Sequence, residues 1–350
     1  MSSTGGEGTG VLDDVRGRAV SHTSGLLRRI DTHCHYVPDF YREAASASGF
    51  ANPDGLRAYP AWSRQAAVDA LDALNISTAM LSISSPGVSF GEVGAARDLA
   101  RRVNEEGATL GQDNPGRFGL FAALPLPDID GALSELTYAF DVLKADGVTL
   151  LTNSRGTYLG DRRFEPLYAE LDRRRAVVFI HPTTAYCPVC HGLHTGSPGL
   201  SWQQPVQEFM FETTRTVTSL ILSGTLDRYP NMRIIVPHAG AALPVLSDRA
   251  AGLAPVLGLT DQKQPEHVFS HLRRLYYDLA GFPLPRLLPA LLEIADPEHL
   301  LCGSDFPFTP LAVVKSLAKR MDESELLDPV MRRRLYHDNA VTLFPRLAKL

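Results

Sequence analysis

Leu27-Arg28-Arg29-Ile30-Asp31-Thr32-His33-Cys34-His35 is the stretch on which the fold turns. It reads as a short strand that closes on two histidines. Side chains two apart on a strand share a face, so His33 and His35 point the same way and Cys34 the other. An open, doubly wound sheet would place a glycine-rich phosphate loop after such an early strand. Here the strand ends in Asp31-Thr32-His33-Cys34-His35, and neither Gly-x-Gly-x-x-Gly nor a Gly-Lys-Ser/Thr motif occurs in the chain.

Seven further apolar runs follow: Ser77–Ser82, Arg117–Leu124, Gly147–Leu151, Ala176–His181, Arg233–His238, Leu275–Leu279 and Leu300–Asp305. Segments of helical periodicity lie between them, namely Ser63–Leu74, Gly91–Gln112, Gly131–Lys144, Glu165–Arg173, Thr214–Arg228 and Pro285–Ile294. In the first of these, Ala67, Leu71 and Leu74 share one face. Regular strand–helix alternation argues for a parallel sheet buried on both faces. Eight such units in 350 residues argue for an α/β fold of the closed (β/α)8 TIM barrel type. Two connections are too long for simple turns, Tyr36–Trp62 after strand one and Pro182–Thr213 after strand five. Both belong at the C-terminal mouth, and residues 182–213 are expected to form a lid.

Composition agrees with one globular domain over residues 27–350 behind a loose tail, residues 1–26, rich in Gly, Ser and Thr. The chain is 44% hydrophobic and 21% charged, with a formal net charge of −5. No basic block points to nucleic acid or an anionic membrane. No run is long enough to span a bilayer, and the tail lacks the pattern of a signal peptide. Four irregularly spaced cysteines do not make a secreted disulfide framework. A cytoplasmic protein is the expectation.

The chemistry gathers at strand ends. His33 and His35 close the first predicted strand, His181 the fifth, His238 the sixth and Asp305 the eighth. Alone, each has an ordinary reading: a lone histidine after an apolar run is commonly a core residue, and Asp305 reads as a helix N-cap. Together they stand at the end of the strands where barrel enzymes place their chemistry. Imidazoles and a carboxylate suit zinc or a similar divalent ion.

The set Asp31-Thr32-His33-x-His35, Ile180-His181-Pro182, Ser223-Gly224-x4-Tyr229-Pro230, Pro237-His238-Ala239-Gly240 and Gly303-Ser304-Asp305-Phe306-Pro307 resembles the amidohydrolase superfamily. It is most similar to the branch typified by aminocarboxymuconate-semialdehyde decarboxylase, whose closing motif matches Asn339-Ala340-x-x-Leu343-Phe344. Phe118-Gly119-Leu120-Phe121-Ala122-Ala123-Leu124-Pro125 and Thr213-Thr214-Arg215 resemble the 6-methylsalicylate decarboxylase group within it. The resemblance spans about residues 29–346. It implies that His33, His35, His181 and Asp305 are metal ligands and that His238 is a catalytic or substrate-orienting residue. Binuclear relatives carry a bridging lysine on strand four, where this chain has Gly147-Val148-Thr149-Leu150-Leu151, so one ion is expected. Some aromatic decarboxylases of the branch have Glu where this chain has His33. Zinc is the expected ion, with manganese as the alternative. Relatives form dimers or larger assemblies, so a homodimer or larger homo-oligomer is expected.

The reaction this implies is metal-dependent, non-oxidative decarboxylation of a small ortho-hydroxybenzoate such as 6-methylsalicylate, or of an unsaturated acid. His238 or Asp305 would supply the proton. The alternative is a hydrolase of an amide, ester or lactone, or a hydratase, using a metal-bound water. Arg57, Arg64 and Arg215 are candidates to grip a substrate carboxylate, and Arg57 gains weight from lying on the loop after strand one. Cys187-Pro188-Val189-Cys190-His191-Gly192-Leu193-His194 packs four soft ligands into one loop. It reads either as a small second zinc site or as a lid from which His191 or His194 touches substrate.

Overall fold

The structure, a computed structural model, describes residues 28–185, 202–259 and 265–349. The tail 1–26 and the loop from Cys187 to His194 lie outside the described residues.

Eight parallel strands form one sheet: β1 (Arg29–His35), β2 (Ile76–Ser82), β3 (Phe118–Ala123), β4 (Gly147–Leu151), β5 (Val177–His181), β6 (Arg233–Val236), β7 (Tyr276–Asp278) and β8 (Leu300–Leu301). They pair in chain order. Bridges between Asp31 and Cys302 and between Cys34 and Phe306 join the last strand to the first and close the barrel. His35 N–H donates to the Phe306 carbonyl at 2.7 Å, and Thr32 N–H to Cys302 at 2.8 Å. The expected (β/α)8 barrel is therefore the observed one.

The lumen is filled by Ile30, Met80, Phe121, Val177, Phe179, Ile235 and Leu301. Ala340, Leu343, Phe344 and Leu347 from the chain's last turns pack against them. Arg346 pairs with Asp146, just before β4, and Arg233 at the start of β6 reaches the Leu343 carbonyl at 3.4 Å. These contacts place the C-terminal segment as a plug at the N-terminal end of the barrel, leaving the other end for the site. Two larger clusters pack the helices onto the outside of the strands.

Two predicted strands overran. Arg233–His238 ends at Val236, because Pro237 has no N–H for the ladder and His238 and Ala239 adopt φ of 54° and 53°. Leu300–Asp305 ends at Leu301, and Asp305 sits at φ 58°. The chain leaves the ladder at the residues that carry the chemistry. The single helix expected over Thr214–Arg228 is two, Glu208–Leu222 and Thr225–Arg228, broken where Gly224 takes φ 69°. That left-handed conformation is cheap only for glycine and ends a helix. Ser63 caps the helix Arg64–Ala73 by accepting from Ala66 N–H, and Glu165–Arg173 is helical over the expected span.

The long connection after β1 is not structureless. It holds the helix Asp39–Ala47 and a turn at Pro53–Gly55. The connection after β5 is shorter than the expected 182–213 lid, since the helix Glu208–Leu222 begins inside it. Phe209, Thr213 and Val217 are apolar or small and buried along that helix, which anchors it to the barrel.

Candidate active site

His33, His35, His181 and Asp305 converge at the C-terminal mouth, and their four ligand atoms lie within 4.8 Å of one another. His33 Nε2 and His35 Nε2 are 3.1 Å apart. Asp305 Oδ1 is 3.4 Å from the first and 3.2 Å from the second. Cys34 faces the other way, into the layer between barrel and helices, as strand alternation predicts.

The rings are held so that each presents Nε2 inward. His33 Nδ1 lies 3.0 Å from Asp278 Oδ2, an acceptor that fixes the proton on Nδ1. His181 Nδ1 donates to the Pro182 carbonyl at 2.7 Å. His35 Nδ1 lies 2.9 Å from Ser82 Oγ and 3.3 Å from the Ser82 carbonyl. Ser82 gives its own proton to the Cys34 carbonyl, so its oxygen accepts from His35. Three Nδ1 protons spoken for leave three Nε2 lone pairs aimed at one point beside a carboxylate oxygen. Lone pairs so placed repel unless a cation lies among them, and outward Nδ1–H bonds of this kind orient metal-bound histidines. The donor set therefore fits a divalent ion.

The charges agree. Burial alone would push His33 down, but the Asp278 and Asp305 carboxylates raise it to about 10, so without an ion the Nε2 position holds a proton that a metal displaces. Burial and the neighbouring His35 and His33 hold His181 well below its ordinary value. Burial pushes Asp305 up, yet His33, His238 and His35 keep it well below the usual carboxylate range. The carboxylates give the cluster a negative field that favours a cation at its centre.

His238 stands at the rim, with Nε2 3.6 Å from Asp305 Oδ2, while Thr309 Oγ1 approaches the same oxygen at 3.3 Å. Asp305 thus divides its oxygens, Oδ1 toward the histidine cluster and Oδ2 toward His238. The left-handed turn at His238 is held by its own N–H donating to Asp278 Oδ1 at 3.2 Å. Non-glycine residues in this region cost about 1–3 kcal/mol each and persist where surroundings enforce them.

Asp278 was not singled out from the sequence, although it binds both His33 and the His238 backbone. A signal was present: an acid inside the apolar run Leu275–Leu279 is costly to bury unless paired. Gly303 opens the motif Gly303-Ser304-Asp305-Phe306-Pro307. A Cβ there would lie 2.9 Å from His33 Cβ and 3.0 Å from Asp278 Oδ1, so only glycine lets β8 approach β1 and β7. Ser84, with Oγ 3.4 Å from His181 Nε2, had no sequence signal.

The candidate arginines separate. Arg215 binds the buried Glu212 and donates to Tyr158 Oη at 2.7 Å. Arg64 pairs with Asp113. Arg57 is exposed on the loop after β1 and has no carboxylate partner among the described residues. His191 lies outside the described residues.

Fold and site together define a metal-dependent enzyme built on a (β/α)8 barrel. The amidohydrolase family model (Amidohydro_2) matches residues 30–346, and the chain belongs to that family. It is 39% identical to the decarboxylase yanB of Aspergillus niger over 91% of this chain and 88% of that protein. It is 36% identical to the 6-methylsalicylic acid decarboxylase of Penicillium expansum over 92% and 97% of the two chains. Among solved structures, an amidohydrolase II superposes with a TM-score of 0.83 at 35% identity, covering 91% of this chain and 99% of that one. A dihydroxybenzoic acid decarboxylase from Polaromonas, solved with bound manganese, shares the fold at TM-score 0.75 and 22% identity over 91% and 97%.

Proposed function

We propose that the protein catalyses non-oxidative decarboxylation of a small ortho-hydroxybenzoate, of the 6-methylsalicylate kind, at a single divalent ion. The observation that carries the reading is the convergence of three imidazole Nε2 atoms and Asp305 Oδ1, with His238 beside Asp305 Oδ2. Relatives named as decarboxylases support this reaction over hydrolysis.

His33, His35, His181 and Asp305 would hold the ion, which would supply Lewis-acid stabilisation of negative charge on the substrate. The chain's own groups do the rest. Asp278, Ser82 and the Pro182 carbonyl hold the three rings against rotation. The Asp305–His238 pair delivers a proton to the ring carbon that bears the carboxylate. The new C–H bond forms, the C–C bond to the carboxylate breaks, and its electron pair restores the aromatic ring as carbon dioxide leaves. Arg57 supplies a positive charge at the rim for the incoming anion. β4 ends in Leu150-Leu151 and offers no lysine to bridge a second ion.

Zinc is the ion proposed, because three imidazoles and one carboxylate suit it, and manganese is the competitor to load in parallel. We take the protein to be a cytoplasmic homodimer or larger homo-oligomer. No helix among the described residues is long and apolar enough to cross a membrane.

The test is a product assay on zinc- and manganese-loaded protein with 6-methylsalicylate and related hydroxybenzoates, following carbon dioxide and phenol together. Equal amounts of both, lost in His181→Ala, support the reading. No turnover across the panel from metal-loaded protein would overturn it in favour of hydrolysis. In His238→Asn, kcat should fall by about 10²- to 10⁴-fold with metal content unchanged.

A further inference from the structure

A second ligand triangle stands in the helical layer, away from the mouth. His267 and His271 lie one turn apart on the helix Glu266–Arg274, and Asp227 lies on the helical turn Thr225–Arg228. His267 Nε2 and His271 Nε2 are 3.2 Å apart, and each is 3.0 Å from Asp227 Oδ1. At the active site the corresponding separations of His33, His35 and Asp305 are 3.1, 3.4 and 3.2 Å. Zinc holds imidazole nitrogen and carboxylate oxygen at about 2.0–2.2 Å, so neighbouring ligand atoms in a tetrahedral shell lie about 3.3–3.6 Å apart. Both triangles come within about 0.3 Å of that spacing. Two histidines four apart on one helix face are themselves a zinc-chelating spacing.

We propose that Asp227, His267 and His271 form a second site for a zinc-type transition-metal ion, independent of the catalytic centre. The two rings cross at 90° with Nε2 atoms meeting at one point. Unlike the active-site rings, these have no hydrogen-bond partner for Nδ1 among the described residues, so packing and the contact with Asp227 orient them. Burial lowers His271 and keeps its imidazole neutral, the form that binds metal. Burial pushes Asp227 up, but the two imidazoles hold it below its ordinary value, and so ionised. The nearby guanidiniums are engaged elsewhere: Arg228 with Glu165 at 3.0 Å, Arg273 with Glu266, and Arg274 with the Leu226 carbonyl at 3.0 Å. The Asp227 side chain is 45% exposed, which leaves the remaining coordination positions to water and lets an ion enter from solvent. The two segments lead into the N-terminal ends of β6 and β7, the end of a barrel that serves stability rather than chemistry. The ion is a clip between neighbouring helices, and the same residues without it are an ordinary histidine–aspartate cluster.

The test is zinc titration of metal-free full-length protein against a chromophoric chelator, alongside His267→Ala/His271→Ala and Asp227→Asn. Both variants should bind one zinc fewer than the parent and keep its kcat. Cobalt in place of the lost zinc should show no thiolate charge-transfer band, which separates this site from Cys187 and Cys190. Zinc beyond the first ion should raise the Tm of the parent by a few degrees and leave the variants unmoved. His181→Ala should lose a different ion, so failure of the active-site assignment is read separately. Unchanged stoichiometry in both variants, or an equal rise in their Tm, would overturn the proposal.

Discussion

At His33 three requirements meet in one side chain. Nε2 faces the ligand cluster, Nδ1 donates to Asp278, and the ring packs edge-on against Phe179 with centroids 4.8 Å apart. Asp278 in turn accepts from the backbone N–H groups of His238 and Ala280 through its other oxygen. Asp278→Asn keeps the shape but replaces one acceptor oxygen by a donor facing His33. Its metal affinity should fall by about 10- to 100-fold, read by competition with a chelator, while circular dichroism stays that of the parent. Gly303→Ala should lower both metal affinity and turnover, because the added Cβ meets His33 and Asp278 within 3.0 Å. An unaltered Gly303→Ala enzyme would show that β8 has room to retreat. The five candidate site residues are legible because each stands at or just beyond a strand end, beside an apolar run. Asp278 was passed over because an acid inside such a run advertises burial and a partner without naming the partner.

Strand and loop geometry sets where those residues point. On β1, Ile30 faces the lumen, and strict alternation from it would turn His33 outward. A shift in pairing register between Asp31 and Cys34 resets the alternation, so both histidines face inward. The loop after β1 is fastened over the mouth by Asp54, whose Oδ1 accepts from Ser85 Oγ at 2.8 Å and Thr184 Oγ1 at 2.6 Å. Those partners follow β2 and β5, so one carboxylate ties three loops. Asp54→Ala should raise KM several-fold more than it lowers kcat in steady-state assays, since it frees the loop that carries Arg57 and leaves the ligands in place. On the outer helix Glu165–Arg173, hydrogen bonds from Arg173 and then Arg174 draw Glu170 down to about 2 from its ordinary 4.5. A depressed folded pKa gives stability that is full above the unfolded value and lost as pH falls from about 4.5 toward about 2. The cluster lies at the surface, with Arg173 exposed and Glu170 and Arg174 partly buried, so solvent screening should hold the cost of Glu170→Gln to about 1 kcal/mol at pH 7. The difference from the parent in urea midpoint should shrink as the pH drops through that window.

Across the molecule, stability and chemistry occupy opposite ends of one barrel. Phe344 packs on Phe121 with centroids 5.9 Å apart, and Phe121 stacks on Phe179 at 5.5 Å, a column that reaches from the C-terminal plug to His33. Phe344→Ala should destabilise the protein by about 3–5 kcal/mol in urea unfolding, the usual range for an aromatic deleted from a core. Zinc stoichiometry should be unchanged, because the cavity opens at the far end. Loss of metal binding in that variant would show that the column, and not the strand ends alone, sets the position of His33.

The sequence by itself determined the strand–helix alternation, the barrel it closes and the candidate ligands with His238, because strand periodicity and polar residues at strand ends are local properties of the chain. It also carried the family motifs from which the reaction class was expected. Tertiary structure alone decided the rest. The register shift on β1, the early exits of β6 and β8, and the roles of Asp278, Ser82 and Gly303 depend on contacts between strands far apart in sequence. The fates of the arginines were decided in the same way: Arg64 meets Asp113 and Arg215 the buried Glu212, and Arg57 meets no carboxylate among the described residues. So was the second histidine triangle, since Asp227 reaches His267 and His271 only once β6 and β7 lie side by side.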